Sequence, residues 1–365
     1  MTVLVYGAYG YTGGLIARAA LDRGLDPILA GRDGDRLREL GRELRADVRE
    51  FDLSIPEVVA ESVRDVDVVC NCAGPFAATA EPLVDACIDT GTDYLDVTGE
   101  YRVLEAIAAR DEEAAAAGVT LLPAVGFDVA ATDCLAAALV GRLPDTTELL
   151  LGFDADGAVS RGTARTAVRG LGEGPVIRRD GELVRAGDGF ERERRFDFGR
   201  GERPALAVAW GDVVTAAHTT GVGDVAVFAA LDPRVMRAIR LSRPLGPLLR
   251  TRPVRWLLDR LVAGHVEGPT ADERAANEVY LRGEARSPDG DGVVERLRTP
   301  DPYDVTVETT LAAIERVERD EPDARGEGGE TSRHGDGVPN GFTTPAGAFG
   351  PSFIDGVDGV RWMDR

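Results

Sequence analysis

The strongest constraint on the fold of this chain is a glycine-rich turn directly after its first apolar run. The run Val3–Tyr6 is predicted to be a strand, and the residues that follow are Gly7-Ala8-Tyr9-Gly10-Tyr11-Thr12-Gly13-Gly14. A helix is predicted from about Thr12 to Arg23. This order is typical of a nucleotide-binding βαβ unit, because the helix N-terminus offers unpaired N–H groups to phosphates. It predicts a Rossmann-type, doubly wound parallel sheet.

Each glycine of the turn has a separate expected task. Gly7 permits the tight turn, Gly10 lets the backbone approach a diphosphate, and Gly13 allows close contact between helix and strand. The alternative is a glycine-rich turn without a ligand. The predicted contacts to a dinucleotide in this turn are Gly7, Tyr9, Gly10, Tyr11, Thr12 and Gly13.

The end of the second predicted strand selects the cofactor. NAD enzymes place a carboxylate there to bind the ribose 2′-hydroxyl, whereas this chain has Arg32 after Ala30-Gly31. A guanidinium suits a 2′-phosphate through charge-assisted hydrogen bonds, so NADP(H) is predicted. Asp52, at the end of strand three, is a further predicted cofactor contact. The alternative is that Arg32 only begins a surface helix and that Asp33 binds the ribose.

A second glycine-containing loop follows the fourth predicted strand. Its residues Asn71, Cys72, Ala73 and Gly74 are predicted to lie beside the nicotinamide, because open α/β sheets bind ligands beyond the carboxyl ends of their strands. The alternative is an ordinary βα loop with no ligand.

Acidic and tyrosine side chains follow strands five and six at the same edge. Tyr94, Asp96 and Glu100 come with strand five, and Asp128 follows strand six. A carboxylic acid in such a cleft can have a raised pKa and donate a proton, so these four residues are the catalytic candidates. The alternative for Asp96 and Asp128 is helix capping.

The alternation of apolar runs and helical patterns predicts three parts. Residues 1–143 form the NADP-binding Rossmann domain. Residues 144–335 form an α+β substrate and dimerisation domain with an antiparallel sheet, which includes strands at 277–283 and 303–308. Residues 336–365 return to the Rossmann domain, and the polar stretch 319–339 is a surface loop. The protein is expected to be a homodimer.

Composition excludes several kinds of chemistry. The net charge is −21, and all 42 basic residues are arginine. Without lysine there is no lysine Schiff base and no P-loop lysine. Such acidity disfavours a nucleic-acid partner and suggests a high-salt cytoplasm, the alternative being a merely acidic protein from a GC-rich genome. Three histidines and four cysteines without metal-type spacing predict no metal site.

A basic island lies within this acidic chain. Eight arginines between 234 and 260 alternate with apolar residues. The stretch predicts possible peripheral contact with anionic lipid, and its alternative is a covering helix whose arginines pair with local carboxylates.

The combination of motifs resembles the saccharopine dehydrogenase-like oxidoreductases, and within them the branch that contains the trans-acting enoyl reductases. The resemblance implies an NADP-binding Rossmann domain, an inserted α+β domain and a C-terminal segment that returns. True saccharopine dehydrogenases use basic catalytic residues that include lysine, which this chain lacks. The residues that carry the resemblance are Gly7–Gly13, Ala30–Arg32, Asn71–Phe76, Tyr94–Glu100, Pro123–Asp128, Asp133, Gly162-Thr163, Thr219–Gly221, Glu267–Pro269 and Thr344–Ala346.

The predicted function is therefore NADP(H)-dependent hydride transfer to a C=C, C=O or C=N bond of a small or lipid-like substrate, similar to that of an enoyl reductase. One alternative is a C–N oxidoreductase of the saccharopine dehydrogenase type. The other is a non-catalytic NADP-binding scaffold at a lipid surface.

Overall fold

The computed structural model describes most of the chain. The ranges described are 2–155, 174–186, 193–232, 268–319 and 338–364, together with positions 234, 236, 237, 251 and 254. Two predictions fall largely outside them. The basic stretch 234–260 is described only at five positions, and the predicted loop 319–339 only at its ends.

The strands and helices follow one another in the order expected of a doubly wound fold. The strands are β1 Val3–Tyr6, β2 Ile28–Gly31, β3 Val48–Glu50, β4 Val68–Asn71, β5 Asp93–Asp96, β6 Thr120–Leu122, β7 Glu148–Ala155, β8 Val176–Arg179, β9 Glu182–Arg185, β10 Glu193–Asp197, β11 Glu202–Val208, β12 Asp224–Ala230, β13 Val279–Arg286, β14 Gly292–Thr299, β15 Gly341–Phe342 and β16 Arg361–Trp362. The α-helices are α1 Tyr11–Asp22, α2 Gly34–Leu44, α3 Pro56–Val63, α4 Phe76–Thr90, α5 Tyr101–Ala108, α6 Asp111–Ala117, α7 Phe127–Arg142, α8 Asp212–Thr220, α9 Ala271–Ala276, α10 Pro302–Arg319 and α11 Pro345–Phe349.

The first sheet is parallel throughout and has seven strands. Their order is β15-β6-β5-β4-β1-β2-β3, so β1 lies between β2 and β4, and the strand order reverses at the β1–β4 pair. Apart from the exposed edge strand β3, the strands are mostly apolar and buried, as strands covered by helices on both faces must be. The predicted Rossmann sheet is confirmed.

The second sheet is mixed. Its main path is β10-β11-β12-β7-β13-β14-β16, and β8 joins β12 to β9. Neighbours pair antiparallel except β7 and β12, which run parallel from Glu148 beside Asp224. Four strands, β8 to β11, and the helix α8 lie between β7 and β12 in the chain, which supplies the long crossover that a parallel pair requires. The predicted α+β second domain is confirmed, with this one parallel pair added to the expected antiparallel sheet.

Two local predictions were wrong. The alternating stretch 303–308 was expected to be a strand, but it lies inside α10. Pro302 is the first residue of that helix, and the carboxylate of Asp301 accepts the N–H of Tyr303 at its start, so local N-terminal signals outweigh the alternation. The alanine-rich stretch 100–117 also predicts one helix from its composition, but it forms two, α5 and α6, which are separated around Ala109.

One apolar cluster joins the two sheets, and α7 lies at its centre. Eleven of its residues are buried, on all sides of the helix. Leu135 and Leu139 pack directly over Gly283 of β13, while Ala130 and Ala131 belong to the same cluster as β1. The C-terminal segment contacts both sheets, because β15 pairs with β6 and β16 pairs with β14. Among the described residues no helix is both long enough and apolar enough to cross a bilayer.

Candidate functional site

The glycine-rich turn is held against two neighbouring strands. Gly7 has a φ of +84°, and its N–H donates to the carbonyl of Ala30 at 2.8 Å. A Cβ built at Gly7 would lie 2.8 Å from the Cβ of Ala73, and one built at Gly13 would collide with the carbonyl of Gly7. The turn therefore has no room for side chains at Gly7 and Gly13. A backbone without side chains is what a diphosphate requires in order to approach closely.

The N-terminus of α1 opens at this turn. Its N-cap residue, Gly10, is extended and supplies no side-chain cap. An α-helix leaves its first N–H groups without internal acceptors, so those of Tyr11, Thr12 and Gly13 are available to an anion. This is the arrangement that the sequence predicted for a bound diphosphate.

Arg32 follows β2 at the expected position. Its side chain is exposed, and it makes no hydrogen bond or ion pair within the ranges that the structure describes. It lies near Asp52, whose pKa is lowered mainly by hydrogen bonds from Ser54 and further by the charge of Arg32. Asp33 instead caps α2, since its carboxylate accepts the N–H of Arg36 at 3.2 Å. The arginine is thus the free group and the aspartate is already engaged.

A second arginine at this edge was missed from the sequence. Arg36 lies over the ring of Tyr9, with 4.6 Å between the guanidinium carbon and the ring centroid. It also donates to the carbonyl of Tyr9 at 3.0 Å. These residues border a cavity of about 200 Å³ that also reaches Gly10 and Arg18. The spacing of four residues between Arg32 and Arg36 on a helix start was the available signal.

The loop after β4 is organised by a buried amide. Asn71 accepts the N–H of Ala73 at 3.0 Å and donates to the hydroxyls of Thr79 and Tyr94. Its side chain is buried and hydrogen-bonded within the protein, so it shapes the loop, and its predicted contact with the cofactor stays a prediction. Cys72 and Gly74 remain partly or fully exposed beside it, and the Gly74–Pro75 peptide is cis.

Tyr94 and Asp96 form a buried chain beneath the edge of the sheet. The Tyr94 hydroxyl donates to Asp96 at 2.8 Å, and the same carboxylate accepts the N–H groups of Thr98 and Ala124. Burial raises the pKa of Asp96 to about 6. Both side chains are fully buried and hydrogen-bonded, so the geometry favours a positioning role, and their catalytic role stays a prediction.

Glu100 caps a neighbouring helix. Its carboxylate oxygens accept the N–H of Phe76 at 3.1 Å and the N–H of Ala77 at 3.3 Å, which are the first groups of α4. The residue therefore fixes the loop after β4 against the start of α5. Its predicted catalytic role stays a prediction, because both oxygens are engaged by backbone in this structure.

Asp128 is a partly exposed acid among the four catalytic candidates. It lies in the first turn of α7, is partly exposed, and its carboxylate accepts no hydrogen bond within the described ranges. It packs against Gly99, and the indole N–H of Trp210 donates to its backbone carbonyl at 2.6 Å. Burial raises the pKa of its carboxyl to about 6. Of the four candidates, Asp128 is the one that combines partial exposure to solvent with a raised carboxyl pKa.

An apolar wall faces Asp128 from the second sheet. The rings of Phe153 and Trp210 pack 5.1 Å apart between centroids. They belong to a group of partly buried apolar side chains that pack against the buried cluster around Leu104 and Val129, namely Tyr101, Phe153, Leu183, Val208 and Trp210. Such a wall suits an apolar substrate portion better than a charged one.

A segment from the second half of the chain covers the side chain of Tyr11. The Tyr11 hydroxyl donates to the carbonyl of Pro269 at 2.5 Å and accepts from Arg274 at 3.0 Å. Arg274 also pairs with Asp304 at 2.8 Å. Gly268 has a φ of +92°, and a Cβ there would lie 2.8 Å from the Tyr11 ring. Sequence reasoning assigned this motif only by resemblance.

Two further polar residues, Asp133 and His218, make contacts within the fold. Asp133 is fully buried and accepts hydrogen bonds from Thr219 and from the N–H of Ala346, which ties α7 to α8 and to the C-terminal segment. His218 packs edge-on against Phe342, and burial lowers its pKa. Within the described ranges no cluster of histidine, cysteine and carboxylate side chains could hold a metal ion.

Comparison with known proteins agrees with this geometry. Residues 3–122 match the family described as saccharopine dehydrogenase NADP binding domain. A trans-acting enoyl reductase of Mycobacterium leprae is 35% identical over 139 residues, which is 36% of this chain and 33% of that protein. A human saccharopine dehydrogenase-like oxidoreductase is 31% identical over 146 residues, 34% of each chain. The alignments thus span about a third of the relatives' length.

The likeness in fold covers more of the chain than the sequence alignments do. The apo saccharopine dehydrogenase (L-Glu forming) of Saccharomyces cerevisiae superimposes with a TM-score of 0.63 over 98% of this chain and 96% of that one, at 13% identity. The parallel sheet and the mixed sheet therefore both belong to a fold that this chain shares with that structure. The resemblance predicted from the motifs is confirmed.

Proposed function

We propose that this protein is an NADP(H)-dependent oxidoreductase that reduces a C=C bond in an apolar substrate, because residues 3–122 match the family described as saccharopine dehydrogenase NADP binding domain. The observation that carries the proposal is the pairing of an open helix N-terminus at Gly10 with a free Arg32. The helix N-terminus would bind the diphosphate, and the guanidinium of Arg32 would bind the 2′-phosphate.

The chain's own residues supply the rest of the site. Arg32 and Arg36 bind the 2′-phosphate end, and the Ala73 backbone supports the turn opposite Gly7. The reduced nicotinamide supplies the hydride. Asp128 supplies the proton, since its raised pKa keeps part of its population protonated near neutral pH. The aromatic wall excludes water from the bond to be reduced.

The apolar side chains near Asp128 favour a C=C substrate over an amino-acid substrate. Phe153 and Trp210 offer apolar surface, and no lysine exists anywhere in the chain. The enoyl reductase of Mycobacterium leprae, named above, is consistent with this choice.

The cofactor half of the proposal is tested by calorimetry with NADPH and NADH. We expect NADPH to bind more tightly, and Arg32→Gln to weaken NADPH binding about ten-fold or more while NADH binding changes little, because the lost contact is to the 2′-phosphate. Arg42→Gln is the matched control, since Arg42 is an exposed arginine on α2, the helix that follows Arg32. Tighter binding of NADH by the parent protein would contradict the proposal.

The reaction half is tested by following NADPH oxidation with fatty and isoprenoid enoyl compounds, alongside aldehydes and imines. Turnover confined to enoyl compounds supports the proposal. Turnover confined to C=N substrates would favour the alternative of C–N chemistry. Firm NADPH binding without any turnover would favour the non-catalytic scaffold.

A further inference from the structure

The ring of Tyr9 packs against the end of the second strand of the nucleotide-binding sheet. A Cβ built at Gly31, the last residue of β2, would lie 2.7 Å from Cε1 of the Tyr9 ring. Two carbon atoms do not approach each other so closely, so the ring occupies the space that a side chain at position 31 would need. The ring therefore covers the residue directly before Arg32.

The same tyrosine holds the guanidinium of Arg36 by two contacts. The guanidinium carbon lies over the Tyr9 ring, 4.6 Å from its centroid, where the negative face of the ring attracts a cation. One N–H of Arg36 also donates to the Tyr9 backbone carbonyl at 3.0 Å. A guanidinium has five N–H donors, so this fixed position leaves further donors for an anion.

The other charged groups beside the ring are largely matched among themselves. The cavity of about 200 Å³ next to Tyr9 is also bordered by Arg18, Glu39 and Glu43. Arg18 pairs with Glu43 at 2.8 Å between nitrogen and oxygen. Within the described ranges Arg36 makes no ion pair, and it is the cation that remains for a ligand at this point.

Arg32 lies in the same surroundings as Tyr9. Burial raises the pKa of the Tyr6 hydroxyl to about 12, Tyr9 and Asp52 raise it further, and the charge of Arg32 lowers it. Tyr9 and Arg32 are thus both close enough to act on one buried hydroxyl. Tyr9 therefore neighbours both arginines, since it contacts Arg36 directly.

We propose that Tyr9 is a positioning residue that gives this site its preference for NADPH over NADH. Its ring and its carbonyl hold the Arg36 guanidinium near Arg32, so that less of this side chain has to be ordered when a 2′-phosphate binds. NADH has no 2′-phosphate and gains little from the arrangement. The inference rests on the proposed function, because it takes the dinucleotide to bind at this turn.

The role of the ring is measured by calorimetry with NADPH and NADH. Tyr9→Leu keeps apolar bulk near Gly31 and keeps the backbone carbonyl, but it removes the aromatic face. We expect NADPH binding to weaken about five-fold and NADH binding to stay within about two-fold, because the lost contact is that of one guanidinium with one ring. Tyr9→Phe keeps the ring and should bind both nucleotides as the parent does. Equal losses for NADPH and NADH in Tyr9→Leu would overturn the proposal, since a merely structural role predicts them.

The partnership of Tyr9 with Arg36 is measured by a double-mutant cycle. The probe is adenosine 2′,5′-bisphosphate, which carries the 2′-phosphate but no nicotinamide. We expect Arg36→Gln to weaken its binding and Tyr9→Leu to add little in that background, because the two side chains act through one contact. In the background of Arg42→Gln, an exposed arginine of α2, Tyr9→Leu should keep its full effect. Losses that simply add in the Tyr9 and Arg36 pair overturn the proposal.

A second substitution covers the case in which Tyr9→Leu does not fold. Arg36→Lys keeps the charge at the protein surface but loses the planar group that stacks on the ring. We expect it to weaken NADPH binding and to spare NADH binding, as Tyr9→Leu does. Unchanged NADPH binding by Arg36→Lys would show that the stacked geometry is not required.

The outcomes separate the two proposals. A preference for NADPH that persists in full in folded Tyr9→Leu overturns the role of Tyr9 and leaves the oxidoreductase proposal intact. Absence of NADPH binding by the parent protein overturns both.

Discussion

At the scale of single residues, the acids at the carboxyl edge of the first sheet have different tasks. Asp96 binds backbone N–H groups from two loops, Glu100 caps α4, and Asp128 is partly exposed at the start of α7. All three were predictable as edge residues from their positions after strands five and six. Their division of labour was not predictable, because it depends on which helix start each carboxylate meets in three dimensions.

The cap by Glu100 leads to the first prediction. Glu100→Ala removes the acceptor of two N–H groups of α4, so we expect the free energy of unfolding to fall by about 1–2 kcal/mol. We also expect weaker NADPH binding, because the loop after β4 loses its anchor. Denaturant unfolding and calorimetry measure the two effects. Glu105→Ala, at an exposed position of α5, should leave both unchanged, and equal losses in the two variants would contradict the cap.

A second prediction concerns pH and Asp93. Burial raises the pKa of this acid to about 6 in the folded protein, whereas its ordinary value is 3.8. Between these values the unfolded chain releases the proton that the folded chain keeps, so Asp93 costs stability as the pH rises. We expect Asp93→Asn to gain about 1–2 kcal/mol relative to the parent between pH 4 and pH 7, by denaturant unfolding. A constant difference across that range would refute it.

At the scale of elements, local signals decided which predictions succeeded. The turn at Gly7 and the apolar runs of the first sheet were clear, because parallel strands covered on both faces have no polar side. The hairpin of β8 and β9 was not predicted, although Asp180 and Gly181 both have positive φ and the Asp-Gly pair is a known turn signal. The alternation in 303–308 wrongly predicted a strand, because one face of α10 is buried and the helix starts at a proline.

The turn itself supplies a third prediction through two adjacent glycines. A methyl group at Gly13 would collide with the carbonyl of Gly7, whereas one at Gly14 would first meet the flexible end of Arg18 at 3.1 Å. We therefore expect Gly13→Ala to lose NADPH binding and to unfold more readily, and Gly14→Ala to retain both within a small margin. Thermal unfolding and calorimetry compare the pair directly. Similar behaviour of the two variants would contradict the turn geometry.

At the scale of the whole molecule, the net charge determines how we expect stability to depend on salt concentration. A net charge of −21 repels itself at low ionic strength, and the screening length falls from about 10 Å at 0.1 M salt to about 3 Å at 1 M. We therefore expect the melting temperature to rise with KCl up to molar concentration. Scanning calorimetry in KCl measures this. A melting temperature independent of salt would remove the basis for a high-salt environment.

The contact over Tyr11 has a practical consequence for protein engineering. Pro269 and Arg274 hold this side chain of the nucleotide-binding turn, although they lie some 260 positions later in the chain. A chimera that carried only the first 120 or so residues would leave the tyrosine ring facing water. The turn and its distant cover would have to be transplanted together for the donor's nucleotide preference to survive.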